Sequence, residues 1–385
     1  MSRTRDHPAN VTSMSLRDLL QSHVDAGTLP GAVGLVANGA EVEVASVGSD
    51  DGAPLAADAI FRIASIGKPI TAAAVLILLD EGRIALDDPI ATWLPELAEP
   101  AVVRTPESPL DDVVPANRPI TVADLLTSRA GYGFDDEFSL PGAAAILAYQ
   151  RDGRDPSTQP APDEWLAGLA KIPLLAQPGE RWLYNTCSDL QGVLVSRVAG
   201  QSFADFLAER IFAPLGMVDT GFALPEDKID RMPSAYQPDA EGVLAVWERP
   251  GGRWRTMPAF ASGAGGLAGT VEDWLRFGRM LLADGGDVLS AESVRLMTTN
   301  HLTQQQRDRC PMFLEGQGWG YGGTVDVVKL DPWNVPGRYG WVGGTGTSAH
   351  IVPATGSVHL LFTQVSMTSP VPGPLMREFW SYAAN

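Results

Sequence analysis

A chain of 385 residues, 45% hydrophobic and 19% charged, has the material for a large buried core inside a soluble globular surface. Its 28 Lys and Arg stand against 46 Asp and Glu, and the resulting charge of −18 repels phosphate backbones, which excludes a nucleic-acid partner. Two cysteines rule out a disulfide framework, and no Cys/His spacing suits zinc.

The opening MSRTRDHPANVTSM lacks the apolar stretch of a secretory leader. Residues 15–26 carry Leu16, Leu19, Leu20 and Val24 on one side, the pattern of an amphipathic helix. Two strand-like runs follow, 31–36 and 41–48, joined through Asn38-Gly39, a strong hairpin signal. Ile60, Phe61 and Ile63 form a short strand-like stretch, and a nearly uniform run of Ala, Val, Ile and Leu begins after Lys68. That run, strongest over 72–79, stops at Asp80-Glu81 and is too short to span a membrane. Helical patterns then occupy 121–126, 163–169, 188–198, 203–211 and 271–282. Segments 106–117 and 133–162, rich in Pro, Asp, Gly and Ser, read as loops. Gly318-Trp319-Gly320-Tyr321-Gly322-Gly323 fits a dinucleotide fingerprint on paper, but no helix follows it, so it reads as a turn leading into a strand. A second hairpin pairs 346–352 with 357–365, where His350 is a packed or surface histidine, and a helix over 374–383 closes the chain. Strands at both ends with helices between them predict one α+β domain over 1–385. Its antiparallel sheet is built from about 14–60 and 318–385, around a mainly helical region of about 66–317. The expected location is cytoplasmic, without a membrane partner. The oligomeric state is open.

Ser65-Ile66-Gly67-Lys68 carries the chemistry. A hydroxyl and an amine three residues apart at a helix start share a face, so Lys68 can withdraw the proton of Ser65 if the site holds its amine neutral. The free amides of the helix start lie where negative charge develops during acyl transfer. An apolar helix leaves a lysine at its mouth little reason to be there except function. Neither G-x-S-x-G nor H-E-x-x-H occurs.

Five blocks in order give the chain a resemblance. FRIASIGKPITAAAVLILLDEGRIALDDPIATWLPEL, ITVADLLTSRAGYGF and the long block that starts at PGERWLYNTCSDLQG are followed by ASGAGGLAGTVEDWLRFGRMLLADGG and YGWVGGTGTSAHIVPATG. Together they resemble the serine β-lactamase-related superfamily, which includes class C β-lactamases, D-alanyl-D-alanine carboxypeptidases and family VIII carboxylesterases. The resemblance implies a β-lactamase/transpeptidase-like fold with Ser65 as nucleophile, Lys68 as its base and Tyr184 as the proton-relaying tyrosine. It also implies an oxyanion hole from the amides of Ser65 and Gly344, and no metal or organic cofactor. Two departures favour the esterase branch. Asn185 sits one place early and Thr186 stands where lactamases carry Asn. Trp341-Val342-Gly343 replaces Lys-Thr-Gly, removing the cation that would pair with a substrate carboxylate. The expected substrate is therefore a small neutral ester with a short or hydrophobic acyl group, contacted by Trp341 and Gly343. Tyr132, with Phe134, is a candidate for an aromatic cleft wall, with core packing as the alternative. A β-lactamase, a D-amino-acid peptidase, an acyltransferase of the same fold and a catalytically silent sensor are the rival readings.

Overall fold

The computed structural model describes residues 14–150 and 158–385. The reading of the first thirteen residues, and residues 151–157 of the expected long loop, lie outside them. The first hairpin forms β1 (Gly31–Asn38) and β2 (Glu41–Asp50), turning at Gly39 with a left-handed φ of 59°, and β3 (Ala53–Pro54) adds to β2. The far end of the chain supplies β4 (Gly318–Trp319), β5 (Thr324–Val325), β6 (Tyr339–Gly343), β7 (Thr347–Val352) and β8 (Ser357–Thr363). All pairs are antiparallel, in the spatial order β4-β5-β6-β7-β8-β1-β2-β3. The two ends of the chain meet where β1 pairs with β8, Val36 opposite His359.

At β1 both faces of the sheet are covered, so this strand is buried along almost its whole length rather than alternating with solvent. Ala32 and Val36 face helix α1 (Leu16–Asp25) and the C-terminal helix Pro374–Ala383, through Leu16, Leu19, Leu20, Met376, Phe379 and Trp380. Val33, Leu35 and Ala37 face the opposite way, into the larger core. Ser15 caps α1, its hydroxyl taking the Asp18 amide while the Asp18 carboxylate takes the Ser15 amide.

The centre of the large core is α2 (Lys68–Asp80), buried at every position from Lys68 to Leu78. A helix apolar all round is one with core on every side. Each fully buried Leu or Ile on it contributes roughly 1.5–3 kcal/mol of apolar transfer. It packs against α3 (Thr186–Ala199), which ends on Gly200 in the left-handed conformation that closes many helices. Helix α4 (Val271–Leu282) buries Val271, Trp274 and Leu275 between this core and the sheet.

Three details differ from the sequence reading. Segment 133–162 contains a helix, Pro141–Gln150, because the run Ala143-Ala144-Ala145-Ile146-Leu147-Ala148 is strongly helix-forming whatever the composition around it. Segment 106–117 contains a short strand, Val113–Pro115, paired with Ala101–Val103. The pattern over 203–211 is an α-helix only over Phe203–Leu207, and widens into π turns over Ala208–Phe212.

Candidate active site

Ser65 stands in a single tight turn, Ala64–Gly67, that feeds directly into α2. Ala64 is held at φ 48°, a left-handed conformation that an L-residue adopts at a cost of about 1–3 kcal/mol. The surroundings that hold it there are explicit. Thr345 Oγ1 donates to Arg62 O at 2.5 Å, Thr347 Oγ1 to Ile63 O at 2.8 Å, and Trp274 Nε1 to Ile66 O at 3.1 Å. The β6–β7 turn, the start of β7 and α4 thus grip the turn that carries Ser65 by its carbonyls.

Lys68 is 1% exposed and its Nζ meets three oxygens: Ser65 Oγ at 2.9 Å, Asn185 Oδ1 at 3.0 Å and Ala264 O at 2.5 Å. It also lies 4.6 Å from the ring centroid of Tyr184. The Ala264 carbonyl is placed by Asp189, whose carboxylate takes the Ala264 amide at 3.1 Å and the Ser262 hydroxyl at 2.6 Å. Burial raises the pKa of the Asp189 carboxyl, against the pull of these hydrogen bonds and of Lys68.

Tyr184 is fixed from three directions. A two-bond bridge joins it to Phe134, with Phe134 N to Tyr184 O at 3.3 Å and Tyr184 N to Phe134 O at 2.6 Å. Gly133, at φ 131°, permits this approach, since a Cβ there would overlap the Tyr184 carbonyl. Trp341 Nε1 donates to the Tyr184 hydroxyl at 2.7 Å. The indole that replaces the family's lysine therefore keeps a polar task. The next residue, Asn185, has φ 81° and ψ −65° with Thr186 N bonded to Tyr184 O at 3.2 Å, the strained form of the γ-turn. Its Nδ2 donates to Gln150 Oε1 at 3.4 Å, and Gln150 Nε2 donates to Thr186 Oγ1 at 2.9 Å.

These groups border a cavity of about 410 Å³ lined by Ser65, Tyr184, Asn185, Trp341 and Gly344. Phe134, Phe138, Leu147 and Phe313 make its apolar wall, the Phe313 ring 4.9 Å from that of Tyr184. The facing wall carries Arg62, Arg253 and Trp254. All three donate to Glu248: Arg62 through Nε, Arg253 through Nε at 2.7 Å and Trp254 through Nε1 at 3.2 Å.

The structure thus brings together Ser65, Lys68, Tyr184, Trp341 and Gly344, and leaves two other expected residues outside the cavity. Tyr132 is 1% exposed in the large core, where burial holds its phenol well above the usual pKa, and the aromatic wall is Phe134 instead. The unusual backbone of Gly133 sends the two rings to different places. Gly343 does not line the cavity; it sits behind it, where a Cβ would come 2.6 Å from Ile63 O. Gly344 is the one that faces the cavity, and a Cβ there would meet no protein atom within 4 Å. Asn185, Gln150, Leu147, Phe138 and Phe313 were not singled out as site residues by sequence. Only Asn185 carried a signal, its place beside Tyr184.

The sequence profile of the beta-lactamase family matches residues 16–373. The chain belongs to the beta-lactamase family. Within it, the chain is 40% identical over 356 residues to protein Rv1367c of Mycobacterium tuberculosis, covering 88% of this chain and 87% of that one. It is 31% identical over 375 residues to esterase EstB of Burkholderia gladioli, covering 90% and 88%. Among solved structures, EstCE1, described as a hydrolase with promiscuous acyltransferase activity, superposes with a TM-score of 0.79 at 23% identity, over 95% of this chain and 97% of that one. The fold is accordingly the β-lactamase/transpeptidase-like one. These relatives support a serine hydrolase of this family. No helix among the described residues is long and apolar enough to cross a membrane.

Proposed function

We propose that this protein is a carboxylesterase that hydrolyses neutral esters with hydrophobic acyl groups, through an acyl-Ser65 intermediate. The observation that carries the reading is the set of partners around Lys68. A neutral amine has two N–H groups and one lone pair. Ala264 O and Asn185 Oδ1 only accept, so they take the two N–H groups, and the lone pair is left for the hydroxyl of Ser65. The arrangement points the base at the nucleophile.

In acylation the Ser65 proton passes to Lys68 while Oγ attacks the ester carbonyl, and the amides of Ser65 and Gly344 receive the developing oxyanion. The phenol of Tyr184 gives its proton to the departing alkoxide. The phenolate that remains is stabilised by the Trp341 indole N–H and by the Lys68 ammonium beside its ring. In deacylation the phenolate takes a proton from water, the hydroxide attacks the acyl carbonyl, and Ser65 recovers its proton from Lys68. Each proton returns to its starting group.

A neutral substrate fits a cavity whose one wall is aromatic and whose arginines on the other wall are engaged with Glu248. Acyl transfer to an alcohol instead of water is the second reading, favoured by the relative named for promiscuous acyltransferase activity. A cytoplasmic site of action accords with Cys187 and Cys310, both buried as free thiols. The test is p-nitrophenyl butyrate. Ser65→Ala is expected to abolish turnover with the thermal midpoint unchanged, and to abolish the acyl adduct in the intact mass. Full activity in that variant rejects the mechanism.

A further inference from the structure

A second cavity, of about 340 Å³, lies behind the segment 366–373 that closes one side of the active site. Its walls are apolar, built largely by Leu29, Val365, Val371, Leu375 and Met376, and its volume is within the range of ligand pockets. Among the described residues, only Met367 and Thr368 line both cavities. Thr368 is exposed at the rim, whereas Met367 is half-buried between the two spaces. The amide of Met367 donates to Gly344 O at 2.8 Å, which ties this partition to the turn that presents the oxyanion amide.

The chemistry sets which part of a substrate meets this wall. At the tetrahedral carbon one bond goes to Ser65 Oγ, the oxyanion faces the amides of Ser65 and Gly344, and the departing oxygen must face Tyr184. The acyl substituent takes the remaining direction, here assigned to the rim at Met367 and Thr368, which the two cavities share. Methionine is unbranched with three rotatable bonds, so its thioether can swing aside while the backbone stays bonded to Gly344. The aromatic cavity and the apolar one behind it then form a single slot.

We infer that Met367 gates the second cavity, and that the favoured substrates are esters of long unbranched acyl chains whose tails cross the gate. This rests on the ester-hydrolase reading and names the acyl class within it. The decisive measurement is kcat/KM for p-nitrophenyl esters from butyrate to dodecanoate. Met367→Ala opens the partition and is expected to raise the decanoate-to-butyrate ratio about tenfold. Val371→Trp, a change at a partly exposed position that fills the second cavity, is expected to lower the same ratio several-fold in the wild type and to cancel the gain in the double variant. A chain-length profile unmoved by Val371→Trp and by Met367→Ala overturns the gate. Butyrate hydrolysis that Ser65→Ala abolishes keeps the ester-hydrolase reading intact under that result, whereas a wild type inert toward every ester overturns both.

Discussion

Asn185 holds its side-chain oxygen 3.0 Å from Lys68 Nζ while its own backbone sits at φ 81°, a conformation that costs an L-residue about 1–3 kcal/mol. Strain of that size persists where surrounding contacts impose it, and here Gln150 on one side and Lys68 on the other do so. The role inferred is positioning: Asn185 directs one N–H of Lys68 away from Ser65 and thereby fixes where the lone pair points. Asn185→Gly relieves the backbone and removes the acceptor, so stability should be maintained or rise while kcat falls about 10- to 100-fold with little change in KM. Asn185→Asp gives a finer test. A carboxylate at this distance would hold the amine in an ion pair and away from Ser65, so kcat should fall at least as far as in Asn185→Gly although an acceptor is kept. An aspartate variant as active as the wild type would show that Asn185 does not act through Lys68.

The last residue of strand β6, Gly343, and the first of the turn after it, Gly344, serve opposite sides of the same wall. Gly343 lets the strand close on the turn that carries Ser65, with Ile63 O only 2.6 Å from where a Cβ would stand, whereas Gly344 borders the cavity and has no protein atom within 4 Å of where its Cβ would stand. Gly343→Ala should therefore lower stability by about 1–3 kcal/mol through overpacking, and lose activity with it as Ser65 shifts relative to the Gly344 amide. Gly344→Ala should leave the denaturation midpoint alone and raise KM, because its methyl occupies substrate space. Equal thermal midpoints for the two variants would contradict this division. Elements like β6 also show where a sequence is readable. The hairpins around Gly39 and Gly356, the first helix and the buried α2 are local in origin, and their boundaries follow from turn residues and apolar runs. Ser65 and Lys68 are three residues apart where the tight turn runs into α2, so their contact was legible as well. Which of Tyr132 and Phe134 enters the cleft depends on a backbone bend at Gly133, imposed by Tyr184 some fifty residues on. The helix Pro141–Gln150 was obscured by the loop-like composition around it, and with it the contributions of Leu147 and Gln150.

At the scale of the molecule, the sheet that joins both chain ends buries two histidines against each other. His350 on β7 and His359 on β8 are register partners, each nearly inaccessible, with the buried Arg338 guanidinium near both. His350 has the edge of Trp380 at 5.4 Å and Ser348 Oγ at 3.3 Å, while His359 Nε2 has no hydrogen-bond partner among the described residues. Burial first, and the positive charge of Arg338 second, lower both pKa values: His350 well below its ordinary value and His359 to about 3. The unfolded chain therefore binds protons at these sites that the folded one refuses. Their contribution to stability is complete above about pH 6.5 and is lost progressively as the pH falls below it. Each fully refused proton has a slope of about 1.4 kcal/mol per pH unit. The carboxyls of Asp189, Asp273 and Asp326 act in the opposite sense, because burial raises their pKa values and their protonation favours the fold. They offset part of the histidines' effect, and His359→Gln, compared with the wild type between about pH 6.5 and 5.5, isolates the imidazole contribution because it removes no carboxyl. Urea midpoints measured across that window should fall less steeply with decreasing pH in His359→Gln than in the wild type, with ester turnover at pH 8 unchanged. Equal slopes for the two proteins would mean that these imidazoles take up protons in the folded sheet. The seam between the first and last strands would then be far more open to water than its packing describes.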